Sequence, residues 1–221
     1  MKKMNSDIMD TSGLKFFGKV TASVSHEIKN VLAIIKENAG LLEDLTLLAD
    51  KGRPLEIERV RIVAEKIKGQ ILRGDGIIKN MNRFAHSVDW TLEQVDLGDI
   101  IGLVIELARR LAFMKRINLE SKGSREGIML STNPFVLENL IWTCLNLAME
   151  SEPYPETIEF FHELLDSRVQ IRITGLQSVS RLRDDSLFKQ IREDFMDHLK
   201  GDLDVNPESG EIVIRLPQHV S

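Results

Sequence analysis

Between Phe17 and Leu48 apolar side chains recur three and four apart, at Phe17, Val20, Val24, Val31, Ile34, Leu41, Leu45 and Leu48. A second row, Ile28, Ile35 and Leu42, runs beside the first. This spacing predicts one long amphipathic helix of the bundle type, with a seam too wide for a single neighbour. The helix is read from near Ser12 or Gly13 to about Asp50, after a polar and flexible segment 1–12. Gly52 suits a left-handed stop, and Pro54 suits the first turn of a following helix. That second helix repeats the alternation through Ile57, Val60, Ala64, Ile67, Ile71, Gly74, Ile78, Met81, Ala85 and Val88. A short connection between two such helices makes an antiparallel hairpin over residues 13–88. Alone it buries too little, so a two-fold homodimer forming a four-helix bundle is expected to cover the second row.

His26 falls outside the seam, and Asn30, Ala33 and Glu37 follow on its face. A rigid rod thus holds a histidine to solvent, with Glu27 beside it and an amide one turn on. On spacing alone this is a surface histidine. A zinc helix of the H-E-x-x-H kind would need an imidazole where Asn30 stands. Gly74-Asp75-Gly76 weakens the second helix by about 1 kcal/mol per glycine. With the turn near Gly52, positions whose numbers add to about 105 face each other, which sets Gly74–Asn80 opposite His26–Asn30. Small residues there would clear space for an approaching partner.

Composition narrows the class. A chain of 221 residues, 43% hydrophobic and 29% charged, is a folded globular protein of one large or two modest domains. A net charge of −5 with spread lysines and arginines gives no nucleic-acid surface. No apolar run reaches the roughly 18 residues of a membrane span, and MKKMNSDIMD lacks a signal-peptide core. A cytoplasmic location, with no membrane contact, is the expectation. Cys144, the single cysteine, reads as a small buried hydrophobe and excludes a disulfide scaffold.

Residues 89–221 change character. After a linker around Trp90, Gln94–Leu97 reads as a strand and Ile100–Met114 as a helix. Ile117–Glu120 and Gly127–Leu130 are expected strands, and Phe135–Glu150 a helix entered through Asn133-Pro134. Thr157–Leu165 and Arg168–Thr174 alternate as paired strands about an Asp166-Ser167 turn. A helix over Asp184–Leu199 and a hairpin of Leu203–Val205 with Glu211–Leu216 complete an α/β sandwich, one sheet covered by helices on one face.

Ser25-His26-Glu27-Ile28-Lys29-Asn30, followed by Leu32-Ala33-Ile34-Ile35, resembles the phosphoacceptor box of bacterial sensor histidine kinases, in the subgroup reading H-E-I-K-N-P-L. Val31 departs from it, standing where the family usually has proline, so the helix should be less kinked there. The layout of residues 94–217 is similar to the ATP-binding domain of the same family. The nucleotide chemistry does not carry over. The resemblance puts the family's two asparagines, the second of which holds Mg²⁺, at Thr143 and Leu147. Asn146 is one residue off, about 100° around the helix, and leucine cannot ligate a hard cation. The adenine-binding aspartate falls on Gly175, and Val179–Asp184 replaces the glycine-rich lid.

The resemblance therefore implies a dimeric helical hairpin followed by a degenerate ATPase-like α/β domain, close to dimeric histidine phosphotransferases. It implies phosphoryl passage through His26 to or from the aspartate of a response-regulator receiver domain, without own ATP. Glu27 would accept a hydrogen bond or proton from the ring, and Asn30 would orient a water for dephosphorylation. No cofactor of its own is implied, since Mg²⁺ would arrive on the receiver. Two other readings stay open: an ATP-using sensor-type kinase, and a non-catalytic dimer that binds and inhibits a kinase or regulator. Were His26 not the acceptor, His86, His162, His198 and His219 would be next.

Overall fold

The computed structural model describes the backbone of residues 2–123, 127–176, 179 and 186–218. The chain forms two compact units, Thr21–Arg83 and Met1–Val20 with Phe84–Ser221. Helix α1 spans Lys2–Asp50 and α2 spans Ile57–His86. Helix α1 therefore starts ahead of the expected Ser12. Lys2–Ser12 contains neither proline nor glycine, and a polar stretch extends a helix that is already nucleated. Gly52 ends the turn after α1 at φ 83°, its amide donating to the Ala49 carbonyl at 2.9 Å. Pro54 lies before α2 rather than in its first turn.

Within Thr21–Arg83 the face of α1 turned to α2 follows the expected row in part, through Val31, Ile34 and Leu45. Ser23, Val31 and Asn38 are buried, with Glu27, Ile34, Leu42 and Leu45 partly so, a spacing of 3.6 residues. Leu41 and Leu48 of the expected row are left exposed, as are Leu32, Ile62, Ile71, Leu72 and Ile78. Polar side chains, Ser23 and Asn38, hold other inward positions. Asn38 meets its need locally, Nδ2 donating to the Ile34 carbonyl at 2.8 Å. Val31 instead packs on Gly74, whose absent Cβ would sit 3.4 Å from the Val31 Cγ1. Helix α2 runs without a break through Gly74-Asp75-Gly76, so the glycines do not interrupt it.

In the other unit, β1 (Glu93–Asp96) leads directly into α3 (Leu97–Met114). Asp96 caps that helix, Oδ1 accepting from the Gly98 amide at 2.7 Å. Strand β1 pairs antiparallel with β3 (Met129–Thr132) as a separate ribbon. The expected single sheet is thus two, with β1 held beside β3 where the Leu97 amide at the start of α3 donates to the Ile128 carbonyl at 2.9 Å. The larger sheet has the order β2-β4-β5-β7-β6, with β2 (Asn118–Ser121) parallel to β4 (Thr157–Leu165) and the other pairs antiparallel. Strand β5 (Arg168–Thr174) follows β4 through Asp166 and Ser167, both at positive φ, as a two-residue hairpin requires. Strands β6 (Asp202–Asn206) and β7 (Glu211–Pro217) close the chain.

Alternation decides the layers. Ile158, Phe160, Val169, Ile171, Ile173, Ile212 and Ile214 are fully buried on one face, under α3, α4 (Pro134–Glu150) and α5 (Ser186–Leu199). The intervening residues form a polar outer face, where Arg172 pairs with Glu163 and Glu211 and lies over the Phe161 ring. Asn133 caps α4, accepting from the Val136 amide at 3.0 Å. Phe16 of α1 is buried in this unit against Phe84, Phe135 and Trp142, with centroids 4.7 to 6.0 Å away. Among the described residues no helix is long and apolar enough to cross a membrane.

Candidate functional site

On α1 the helical spacing sets His26, Asn30, Ala33 and Glu37 along one strip, and all four are exposed. Glu27 points elsewhere. Adjacent helical residues diverge by about 100°, and its side chain, 16% exposed, turns toward α2. There its Oε2 lies 3.7 Å from a guanidinium nitrogen of Arg73. The sequence brings His26 and Asn30 together as expected, one turn apart. The structure instead pairs Glu27 with Arg73, and among the described residues no hydrogen bond joins it to His26. Arg73 was not singled out by sequence, although the hairpin register put its neighbour Gly74 opposite this turn. Behind the strip that holds His26, Val31 and Gly74 bring the two backbones close together.

The second candidate surface lies in the α/β unit. A cleft of about 460 Å³ opens on α4 and is lined by Phe16, Trp142, Thr143, Leu147, Asp194 and Phe195, among others. The two positions that the family resemblance assigns to asparagine, Thr143 and Leu147, do face this cleft. The Thr143 hydroxyl is engaged, donating to the Asn139 carbonyl at 2.7 Å. Leu147 offers carbon only, so this face of α4 does not fit a magnesium-bound nucleotide. Asn139 and Asn146 also line the cleft. The Asn139 Oδ1 accepts from Ser12 at 3.4 Å, which ties it to α1.

At Gly175, where the resemblance puts the adenine-binding aspartate, the backbone leaves no room for a side chain. Gly175 has φ 92°, and a Cβ built there would run into the Thr157 carbonyl. No side chain of any kind fits at that position without moving β4. Gln177, Ser178 and Ser180–Asp184, which include most of the expected lid replacement, lie outside the described residues, as does His219.

The remaining ionisable groups are structural in setting. Burial alone pushes the Cys144 thiol up to about 12, the environment of an inert cysteine. Asp194, 7% exposed, has its pKa raised by burial and by Glu193, against a lowering pull from His198. His198 Nδ1 sits 3.0 Å from the Asp194 carbonyl, and His86 Nδ1 sits 2.9 Å from Asp89. His162 is buried under α3 with Nδ1 lacking a partner. Burial lowers its pKa, and the Asp96 carboxylate partly opposes this. Among the described residues no three histidine, cysteine or carboxylate side chains cluster as metal ligands would.

The chain matches no protein-family model and no curated protein. Solved structures do resemble it. Full-length ShkA bound to AMPPNP superposes with a TM-score of 0.51 at 17% identity, covering 89% of this chain and 46% of that one. A histidine kinase from Burkholderia phymatum STM815 gives 0.50 at 10% identity, over 89% of this chain and 98% of its own. The catalytic domain of the histidine kinase ThkA gives 0.50 at 12% identity, over 58% and 99%. The likeness is one of fold: a long helical hairpin followed by an α/β sandwich, as in histidine kinases.

Proposed function

We propose that this chain is a histidine phosphotransfer protein of a two-component relay. In this reading it passes a phosphoryl group through His26 to or from a receiver-domain aspartate and uses no ATP of its own. One ring nitrogen of His26 attacks the phosphorus of the aspartyl phosphate. The N–P bond forms as the P–O bond breaks, and the electron pair leaves with the receiver's carboxylate. The proton on the other ring nitrogen stays, and the imidazolium so formed loses it to solvent or to a nearby carboxylate. The reverse sequence loads a second receiver. Positioning and charge neutralisation carry such transfers, and the receiver's own Mg²⁺ supplies part of the latter. Asn30, one turn along the exposed strip, is placed to orient a water for dephosphorylation. A homodimer through the exposed apolar rows of α1 and α2 completes the bundle.

The observation that carries the ATP-independent part is Gly175. Its φ and the Thr157 carbonyl leave no room for the carboxylate that would read adenine. The test is a phosphotransfer assay. Phosphorylated receivers mixed with the unmodified protein should yield acid-labile label on His26, and ATP with Mg²⁺ alone should yield none. His26→Ala should abolish acceptance and leave the fold unchanged, since the side chain faces water. Label from ATP without another kinase would replace this reading with that of a true kinase.

A further inference from the structure

The acceptor turn carries a charge problem that the hairpin solves from α2. A receiver's aspartyl phosphate, like any phosphoryl donor, brings negative charge to His26. Glu27 stands next in the chain, and an uncompensated carboxylate there would repel it. The only ion-pair partner of Glu27 among the described residues is Arg73, at 3.7 Å. The pair is unequal: the carboxylate side chain is 16% exposed and the guanidinium side chain 51%. Glu27 is held inward, where solvent screens it less, while Arg73 reaches in from the surface of the neighbouring helix. Gly74, the next residue on α2, packs directly on Val31 one turn beyond Glu27, which brings α2 close enough for the pairing.

We infer that Arg73 is a positioning residue for phosphoryl transfer at His26. It acts through Glu27, cancelling its charge and keeping the carboxylate on the α2 side of the turn. The inference rests on His26 being the acceptor and deepens the reading given above. It also recasts Glu27. A carboxylate fixed on Arg73 and without a bond to His26 serves the site as half of an ion pair, not as the group that takes the ring proton.

Phosphoramidate tests this without any receiver. Its P–N bond breaks as the N–P bond to His26 forms, and ammonia leaves, so phosphohistidine is read by mass spectrometry on the intact chain. Arg73→Ala should slow labelling about tenfold, the scale expected for one unscreened like charge beside an anionic donor. Arg73→Lys should stay close to the unmodified rate. The decisive arm is Arg73→Ala combined with Glu27→Gln, which should label as fast as Glu27→Gln alone, because no stray carboxylate remains. A merely structural Arg73, or one that grips the phosphoryl oxygens directly, gives a loss that glutamine does not rescue, and that result overturns the inference. So does Arg73→Ala labelling at the unmodified rate, or an unmodified protein that takes no label on His26. If label appears with this pattern while no phosphorylated receiver transfers to His26, the relay reading falls and the role of Arg73 stands.

Discussion

The two units of this chain are stabilised in different ways. In Met1–Val20 with Phe84–Ser221 the strands β4, β5 and β7 each bury a full inward row, while Leu14, Trp90 and Phe113 stay exposed. In Thr21–Arg83 the buried apolar residues are Val31 and Val63, while Leu32, Leu41, Ile71, Leu72 and Ile78 are open. The buried oxygens of Thr21, Ser23 and Gln70 also lack partners there. One unit has an extensive buried core of its own. The other leaves a wide apolar surface open, the surface that the proposed second copy would cover.

The largest effect should come from breaking the proposed dimer. Glutamates at both Leu41 and Leu72, which are exposed on the hairpin, should give a monomer in sedimentation, with the α/β unit still folded. A unit that needs a second copy also melts in a concentration-dependent way, and the self-contained one does not. A stably folded hairpin in an unmodified monomer at micromolar concentration would erase the contrast.

Core truncation sharpens it from the other side. Phe160→Ala empties a fully buried site in the sheet and should cost about 3–5 kcal/mol by denaturant unfolding. Val31→Ala, on a surface partly satisfied by a glycine, should cost roughly 1.5 kcal/mol. Equal losses at the two sites would mean that the hairpin is as well packed as the sheet.

Acid should act on the α/β unit through His162. Its folded pKa is lowered by burial, so the unfolded chain binds the proton more readily. Its stabilising share is complete above the unfolded value of about 6.5 and is lost as pH falls through the folded value. Melting temperature should therefore drop between pH 7.5 and 5, and His162→Gln should flatten the part of the drop that this residue causes. Asp96, capping α3 close by, and the backbone of Gly123 flush against the ring are the other groups it faces. The smallest effect belongs to Asp194. Its pKa is raised, so the folded unit loses stability as pH rises through that value. Asp194→Asn should raise the melting temperature at pH 7.5 by about 2 °C, and a fall instead would mean that the carboxylate has a partner.

Sequence periodicity was enough for the hairpin and for the α/β order, because long amphipathic helices and alternating strands announce themselves at two different periods. Thr157–Leu165 and Arg168–Thr174 match the observed strands end for end. What it could not supply was rotation about the helix axis. Apolar residues sit on two faces of α1, and only the packing of Val31 on Gly74 tells which face turns inward. His26 and Asn30 were legible because exposure follows from lying off the seam. Arg73 was not, since an ion pair between helices depends on that same rotation. The separation of β1 and β3 from the main sheet was hidden for a related reason: alternation identifies a strand and says nothing of its neighbour.

Val31 has a last consequence, in time rather than in space. Proline at this position would leave the Glu27 carbonyl without its amide, one turn back, and would let the acceptor segment open locally. Valine keeps that rung of the ladder, and α1 is helical without interruption from Lys2 to Asp50. The amides around His26 should therefore exchange with deuterated solvent no faster than those several turns away. If His26 is the acceptor proposed above, it sits on a stiff segment, and whatever motion transfer requires would fall to the partner that docks on it.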